Sequence, residues 1–180
     1  MYRICLFFLA AASLLSSCSP QLSVFNSKLY EEQKWSDDEL KRIQFYLSDD
    51  LTIYRYLDEE GGATITSGEI KIVDGRKTEQ VYFKSGTPGV FLFRPKAEHF
   101  AVSFEDKGET HYLTFGPNPK YSGQYMLLAS EWEKRSGKVN YAGKKFYTSS
   151  NDIPRLLVNL KKVTYTKTEG RTATGRSVKQ

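Results

Sequence analysis

The hydrophobic pattern of this chain changes from a helical period to a strand-like period along its length. Residues 35–40, WSDDEL, fit a capping box in which Ser36 is the N-cap and Glu39 follows three residues later. Apolar residues then recur at helical spacing as far as Leu47. The pattern therefore predicts one N-terminal α-helix over about 36–48.

Beyond that segment the period is two, and turn residues recur at short intervals. Leu51 and Ile53 share one face, and the same alternation places Arg55 on that face. Asp74-Gly75 is a strong signal for a β-hairpin. The last strong strand is predicted over Leu156–Thr166.

About eight to ten short strands with hairpin connections predict a mainly β fold, a single antiparallel β-barrel or β-sandwich. One of the predicted hairpins is KVNYAGKKFY, residues 138–147, in which aromatic side chains would pair across the strands. We expect a tether over 18–34, a β-rich domain with its N-terminal helix over 35–166, and a basic tail rich in Thr and Gly over 167–180.

The N-terminal segment has the layout of a secretory signal peptide, because Arg3 precedes about a dozen mostly apolar residues. A membrane-spanning helix needs roughly 20 apolar residues, and this run is shorter. Its end, Leu15-Ser16-Ser17-Cys18, resembles the bacterial lipobox, in which an aliphatic residue and two small residues precede an obligatory cysteine. The alternative is an ordinary secretory signal with an accidental cysteine at the cleavage site.

The lipobox resemblance implies removal of residues 1–17 and attachment of diacylglycerol, with palmitate-type chains, to the sulfur of Cys18. Cys5 would be lost with the signal, so no thiol would remain for a disulfide or a metal site. Because no Asp follows Cys18, the resemblance favours the outer membrane, with the protein on its periplasmic face. Parts of the chain, LKRIQFYLSDDLTIYR among them, are similar to uncharacterised Bacteroidetes-type lipoproteins, which brings no known activity.

The positive charge of the chain is concentrated at its C-terminal end. The formal net charge is +5, yet the last twenty residues hold six basic residues and one acid, so the body from Cys18 to Leu160 is close to neutral. We expect a solvated tail, with contact to an anionic envelope partner as the alternative. Nucleic acid is not an expected partner, because no recognition motif accompanies the charge.

The sequence contains no recognisable catalytic set. Alternation predicts that His99 faces solvent and that His111 is half-buried, and two separated histidines are too few for a zinc site. Neither a GxSxG nor a Walker motif occurs. We therefore expect a protein that is not an enzyme and has no catalytic, cofactor-binding or metal residues, with the covalent lipid on Cys18 as its one attached group.

The chain is rich in aromatic residues, with 12 Tyr, 11 Phe and 2 Trp, which could form strand cores or surfaces that stack on sugars. The functional expectation is an outer-membrane lipoprotein whose β domain binds another envelope component, a protein or a glycan, within an envelope assembly. One alternative is a carrier of a small hydrophobic ligand with a lipocalin-like barrel, although Trp35 follows Gln33-Lys34 rather than Gly-x. Another is an envelope hydrolase that uses His111 and scattered acids.

Overall fold

The computed structural model describes residues 21–57, 69–73, 76–133, 135–151 and 153–160. Within these residues the fold is mainly β, as predicted, and consists of two antiparallel sheets. Neither sheet closes on itself in the described part of the chain, so the architecture is sandwich-like.

The described residues form thirteen strands, more than the predicted eight to ten, because several strands are only two to four residues long. The strands are β1 (Ser23–Val24), β2 (Gln44–Leu47), β3 (Leu51–Tyr56), β4 (Glu69–Val73), β5 (Arg76–Phe83), β6 (Pro88–Lys96), β7 (His99–Ser103), β8 (Leu113–Asn118), β9 (Gln124–Leu127), β10 (Glu131–Glu133), β11 (Ser136–Tyr141), β12 (Lys144–Ser149) and β13 (Leu156–Val158). The helices are α1 (Ser27–Gln33), α2 (Asp37–Leu40) and a 3₁₀ turn over Pro119–Tyr121.

The two sheets contain seven and six strands. The first sheet has the order β1-β13-β2-β6-β7-β8-β9, and the second has the order β10-β11-β12-β3-β5-β4. The chain passes between the sheets at β2–β3, β5–β6, β9–β10 and β12–β13. These crossings bring residues that are distant in sequence to the boundary between the two sheets.

The predicted helix over 36–48 is wrong in its extent. Its start is correct: Ser36 caps α2, and the backbone N–H of Ser36 donates to the Glu39 carboxylate at 2.8 Å in a complete capping box. The helix nevertheless ends at Leu40, and Gln44–Leu47 is β2.

Strand pairing explains this correction. Phe45 and Leu47 are both fully buried, and β2 lies between β6 and β13 in the first sheet. A period-2 pattern over four residues satisfies the same apolar positions as a helical stripe, so the periodicity alone did not distinguish the two.

The predicted tether over 18–34 is also too long. Ser23–Val24 pairs with β13, Phe25 is fully buried, and Asn26 caps α1 by accepting a hydrogen bond from the backbone N–H of Leu29 at 2.9 Å. The residues from Ser23 onward therefore belong to the folded body, because Phe25 contributes an aromatic ring to the core.

Both predicted hairpins are present as strand pairs. Val73 pairs with Arg76 across residues 74–75, which themselves lie outside the described residues. The β11–β12 hairpin turns at Ala142 and Gly143, whose φ angles of 51° and 72° suit the right-handed twist of a two-residue turn.

Other predicted segments lie partly or wholly outside the described residues. The strand predicted over Leu156–Thr166 is too long, because β13 covers Leu156–Val158 and the two described residues that follow, Asn159 and Leu160, are not in a strand. Residues 161–166 lie outside the described ranges. The signal peptide over 1–17, Cys18 and the tail over 167–180 are outside the described ranges.

A cluster of aromatic rings fills the space next to the first sheet. The ring of Phe25 contacts a set of rings at centroid distances of 4.8–6.3 Å, namely those of Tyr30, Trp35, Phe45, Phe100 and Tyr125. Most of these contacts are tilted or edge-to-face, which is the favoured geometry for aromatic pairs.

The buried face of the second sheet contains an ion pair. Arg55 lies on the face of Leu51 and Ile53, as the alternation predicted, and is directly opposite Glu79 on β5. Its Nε donates to the Glu79 carboxylate at 2.6 Å, and the two side chains are 3% and 0% exposed. The guanidinium also lies over the ring of Phe146, 5.9 Å from its centroid.

Candidate functional site

A cleft of about 360 Å³ lies where the first sheet meets β11 of the second sheet. Its wall combines apolar side chains with amide, hydroxyl, imidazole and ammonium groups. The lining residues are Pro95, Lys96, His99, Thr114, Leu128, Ala129, Ser130, Lys138, Val139 and Asn140.

One wall of the cleft depends on a glycine in β8. A Cβ at Gly116 would lie 2.7 Å from Cδ1 of Leu128 and 3.0 Å from Cδ2 of His99. Both side chains therefore rest on the bare backbone of this residue, and a larger residue at this position would clash with them.

His99 is half-buried in this wall, whereas the sequence predicted that it faces solvent. Burial is the main cause that lowers the pKa of His99, the charge of Lys96 lowers it further, and Glu98 opposes them. The imidazole is therefore neutral near pH 7 and offers both a donor and an acceptor.

Lys138 is held by two carboxylates of the edge strand β10. Its Nζ lies 2.8 Å from both Glu131 and Glu133, and these hydrogen bonds raise its pKa. The ammonium is therefore fixed in place, and its charge is already balanced on this side of the cleft.

Trp132, between those two glutamates, lies beside the cleft and is 44% exposed. It is directly opposite Gly137 in the β10–β11 pair, so it shares a face of the sheet with Val139, which lines the cleft. A Cβ at Gly137 would lie 2.8 Å from the Trp132 ring and 2.9 Å from Cβ of Ala129, another lining residue. The indole ring therefore lies over the backbone of Gly137, next to the cleft wall.

A second polar cluster lies where the loop that joins β7 to β8 contacts Tyr141 at the end of β11. The hydroxyl of Tyr141 donates to the Glu105 carboxylate, and Lys107 donates to the same carboxylate at 3.1 Å. Burial acts to raise the pKa of Glu105, but these hydrogen bonds outweigh it and the net pKa is lowered. Burial, followed by the bond to Glu105, raises the pKa of Tyr141.

His111 belongs to this second cluster and is more buried than the predicted half-buried position, with 8% exposed. Its ring meets the ring of Tyr141 edge-to-face at 5.5 Å, and its Nε2 has no hydrogen-bond partner among the described residues. The backbone bond from Ala142 to Thr110, 3.0 Å long, closes the hairpin over this loop.

The structure does not bring the two histidines together, since His99 lines the cleft and His111 packs against Tyr141. Among the described residues, no group of three or more His, Cys, Asp or Glu side chains is arranged to hold a metal ion. The two clusters therefore offer different chemistry: the cleft can form hydrogen bonds with a ligand, whereas the second cluster joins a loop to a hairpin.

The sequence reasoning missed the cleft and Trp132. The one local signal was the tripeptide EWE, in which a tryptophan lies between two acidic residues in a short strand. Such acidic neighbours are unusual for a tryptophan that is buried in the core. The lining residues come from five separate segments, so no spacing along the chain indicates the cleft.

In the parts of the chain that the structure describes, no helix has the length and apolar character needed to span a membrane.

No protein-family model matches the chain, and comparison with curated proteins and with solved structures gives no significant match. The function therefore has to be inferred from the residues and the geometry of this chain.

Proposed function

We propose that this protein is a non-enzymatic lipoprotein of the outer membrane, anchored through Cys18, whose β domain binds another component of the cell envelope, a protein or a glycan. The lipobox residues support the anchor. The observation that carries the binding role is the polar cleft with the exposed Trp132 beside it. Mixed polar and apolar concave surfaces next to exposed aromatic residues are typical of recognition sites.

The alternative of a hydrophobic-ligand carrier receives less support from the packing. A carrier needs an apolar space inside the fold, and the described interior is occupied by side chains such as Phe45, Phe100 and Tyr125, which are at most 1% exposed. Close-packed rings leave little room for a lipid-sized guest there.

A hydrolase that uses His111 also receives little support. His111 and Tyr141 are buried, and the hydroxyl of Tyr141 is engaged by Glu105. A substrate therefore has little access to the imidazole, since only 8% of His111 is exposed, whereas the cleft is open to solvent.

Membrane attachment is tested by replacing Cys18 with Ala and labelling cells with a palmitate analogue. We expect Cys18→Ala to lose the label and to leave the membrane fraction, because a buried acyl chain contributes roughly 0.8 kcal/mol per methylene. Cys5→Ala is the matched control and should keep both the label and the membrane location. Labelling that persists in Cys18→Ala would disprove the anchor.

Binding is tested with a photo-crosslinking residue in place of Asn140, which is exposed and lines the cleft, in intact cells. The control position is Lys120, which is exposed in the 3₁₀ turn and does not line the cleft. We expect a higher-mass product at position 140 that is absent at position 120. Recovery of the protein alone from both positions would contradict the proposed binding role.

A further inference from the structure

Trp132 has an exposed ring that the fold holds in a fixed orientation. Its six-membered ring lies over Gly137, where Cζ3 and Cη2 are each 2.8 Å from the position of a missing Cβ. The cross-strand pairing of these two residues holds the backbone in place. A planar aromatic surface that is 44% exposed and already ordered loses little entropy when a ligand stacks on it.

The cleft beside this ring provides hydrogen-bonding groups of several kinds. Ser130 is exposed at the cleft, and its hydroxyl donates to the carbonyl of Lys138 at 3.1 Å, which leaves its lone pairs to accept. Thr114 adds a second hydroxyl, and His99 adds a neutral imidazole. Hydroxyl and imidazole groups together both donate and accept, as a polyhydroxylated ligand requires.

The charged groups around the cleft leave no net positive charge. Its two lysines are Lys96 and Lys138, and Lys138 forms ion pairs with Glu131 and Glu133, so two positive and two negative charges are present. Glu98 adds a further negative charge near His99. A strongly anionic ligand would therefore meet no net positive potential, and an uncharged ligand fits the balance.

The volume of the cleft limits the size of the ligand that it can hold. About 360 Å³ is near the lower end of the range of roughly 300–1,000 Å³ for small-molecule sites. A cleft of this size accommodates a mono- or disaccharide unit, and because it is open it can admit one unit of a longer chain.

We infer that the cleft binds an uncharged saccharide, with one sugar ring stacked on Trp132 and its hydroxyls bonded to Ser130, Thr114 and His99. The apolar C–H face of a pyranose covers the indole, and the hydroxyls at its edge reach the polar wall. This inference rests on the proposed binding function and specifies its ligand as a neutral glycan of the envelope.

The two tryptophans of the chain make the test direct. Trp35 is buried and Trp132 is exposed, so acrylamide quenches the fluorescence of Trp132 selectively. The full chain is purified in a detergent without a sugar headgroup and titrated with neutral oligosaccharides of glucose, galactose, mannose and N-acetylglucosamine. We expect at least one of them to protect Trp132 from quenching, with a dissociation constant that calorimetry reproduces.

Variants assign the effect to the cleft. Trp132→Ala should weaken binding by about tenfold or more, as truncation of a central aromatic contact does, and Trp132→Phe should weaken it less. Thr114→Val should also reduce affinity, because it removes a hydroxyl of the cleft wall. Tyr121→Ala removes an aromatic residue of similar exposure that does not line the cleft, and it should bind like the parent. Thermal melting checks that each variant is folded.

Three results would overturn the inference: no protection by any neutral saccharide, equal affinity of the folded Trp132→Ala variant, or binding of uronic acid oligomers alone. Failure of the inference differs from failure of the proposed function. If position 140 crosslinks to an envelope protein and no saccharide binds, the saccharide inference is wrong and the proposed binding function stands. If the protein binds a saccharide and the Cys18→Ala variant still carries the palmitate label, the proposed anchor is wrong and the saccharide inference stands.

Discussion

The two sheets bury different kinds of side chain. The first sheet packs against a cluster of aromatic rings around Phe25, which contacts the rings of Tyr30, Trp35, Phe45 and Tyr125. The second sheet buries the Arg55–Glu79 ion pair, and the loop and hairpin near its edge enclose the Glu105–Tyr141 hydrogen bond. One region is held by removal of apolar area from water, and the other depends on polar partners that must all be present.

This difference predicts how the stability of each region should respond to substitution. Loss of a ring lowers the free energy of unfolding through the lost contacts and the cavity that remains. Loss of one member of a buried ion pair lowers it because the charge of the other member stays buried without a partner. Removing both members of the pair should therefore cost less than removing one, which is not expected for two rings.

The largest expected effect is in the aromatic cluster. Phe25→Ala should lower the free energy of unfolding by about 4 kcal/mol, because it deletes a fully buried ring that touches several others. Urea denaturation followed by circular dichroism measures the change. Tyr121→Ala, on an exposed ring, is the control and should change stability by less than about 0.5 kcal/mol. A loss below about 1.5 kcal/mol for Phe25→Ala would mean that the segment before α1 contributes little to the core.

The next effect is in the ion pair. Glu79→Gln should cost about 3 kcal/mol, near the low end for a broken buried pair because the amide can still accept a hydrogen bond from Arg55. The double variant Arg55→Met/Glu79→Leu should recover most of that loss, since it leaves no charge behind. The same denaturation assay compares all three proteins. A double variant as unstable as Glu79→Gln would show that the two side chains contribute to stability in some way other than by neutralising each other's charge.

The smallest effect is at Tyr141. Tyr141→Phe should cost about 1 kcal/mol at pH 7, because it removes the hydrogen bond to the partly exposed Glu105 and keeps the buried ring. The pKa of Glu105 in the folded protein is below its usual value of 4.5, so the stabilisation is present above that pH. It is lost as the pH falls through the lowered pKa.

The pH dependence of this variant is the sharper measurement. Between pH 7 and pH 3 the parent should lose more stability than Tyr141→Phe, and the two unfolding curves should converge in acid. A constant difference across this range would mean that the carboxylate form of Glu105 does not contribute through Tyr141.

The sequence predicted the faces of strands better than the lengths of elements. Alternation placed Arg55 with Leu51 and Ile53 on a buried face, and the structure confirms it. Its partner Glu79 could not be identified from the sequence, because the β3–β5 register depends on long-range pairing. The helix predicted over 36–48 failed for the same reason, since β6 and β13 recruit Phe45 and Leu47.

The candidate site was predictable only in part. The wealth of aromatic residues made a sugar-stacking surface one of the options, but it did not distinguish Trp132 from the rings of the core. Whether an aromatic ring is buried or exposed depends on what the fold packs against it, and Trp132 lies on an edge strand over a glycine.

By itself, the sequence determined local features of this protein: the capping box at Ser36, the alternation of the strands and the pairing of the hairpin strands. These depend on neighbouring residues, for which spacing along the chain is sufficient information. The lipobox at Cys18 stays a prediction. The tertiary structure alone decided where α2 ends, which partner neutralises Arg55, and that five segments enclose a cleft beside Trp132. Those features depend on the pairing of distant strands, whose register is set by the burial of the whole core.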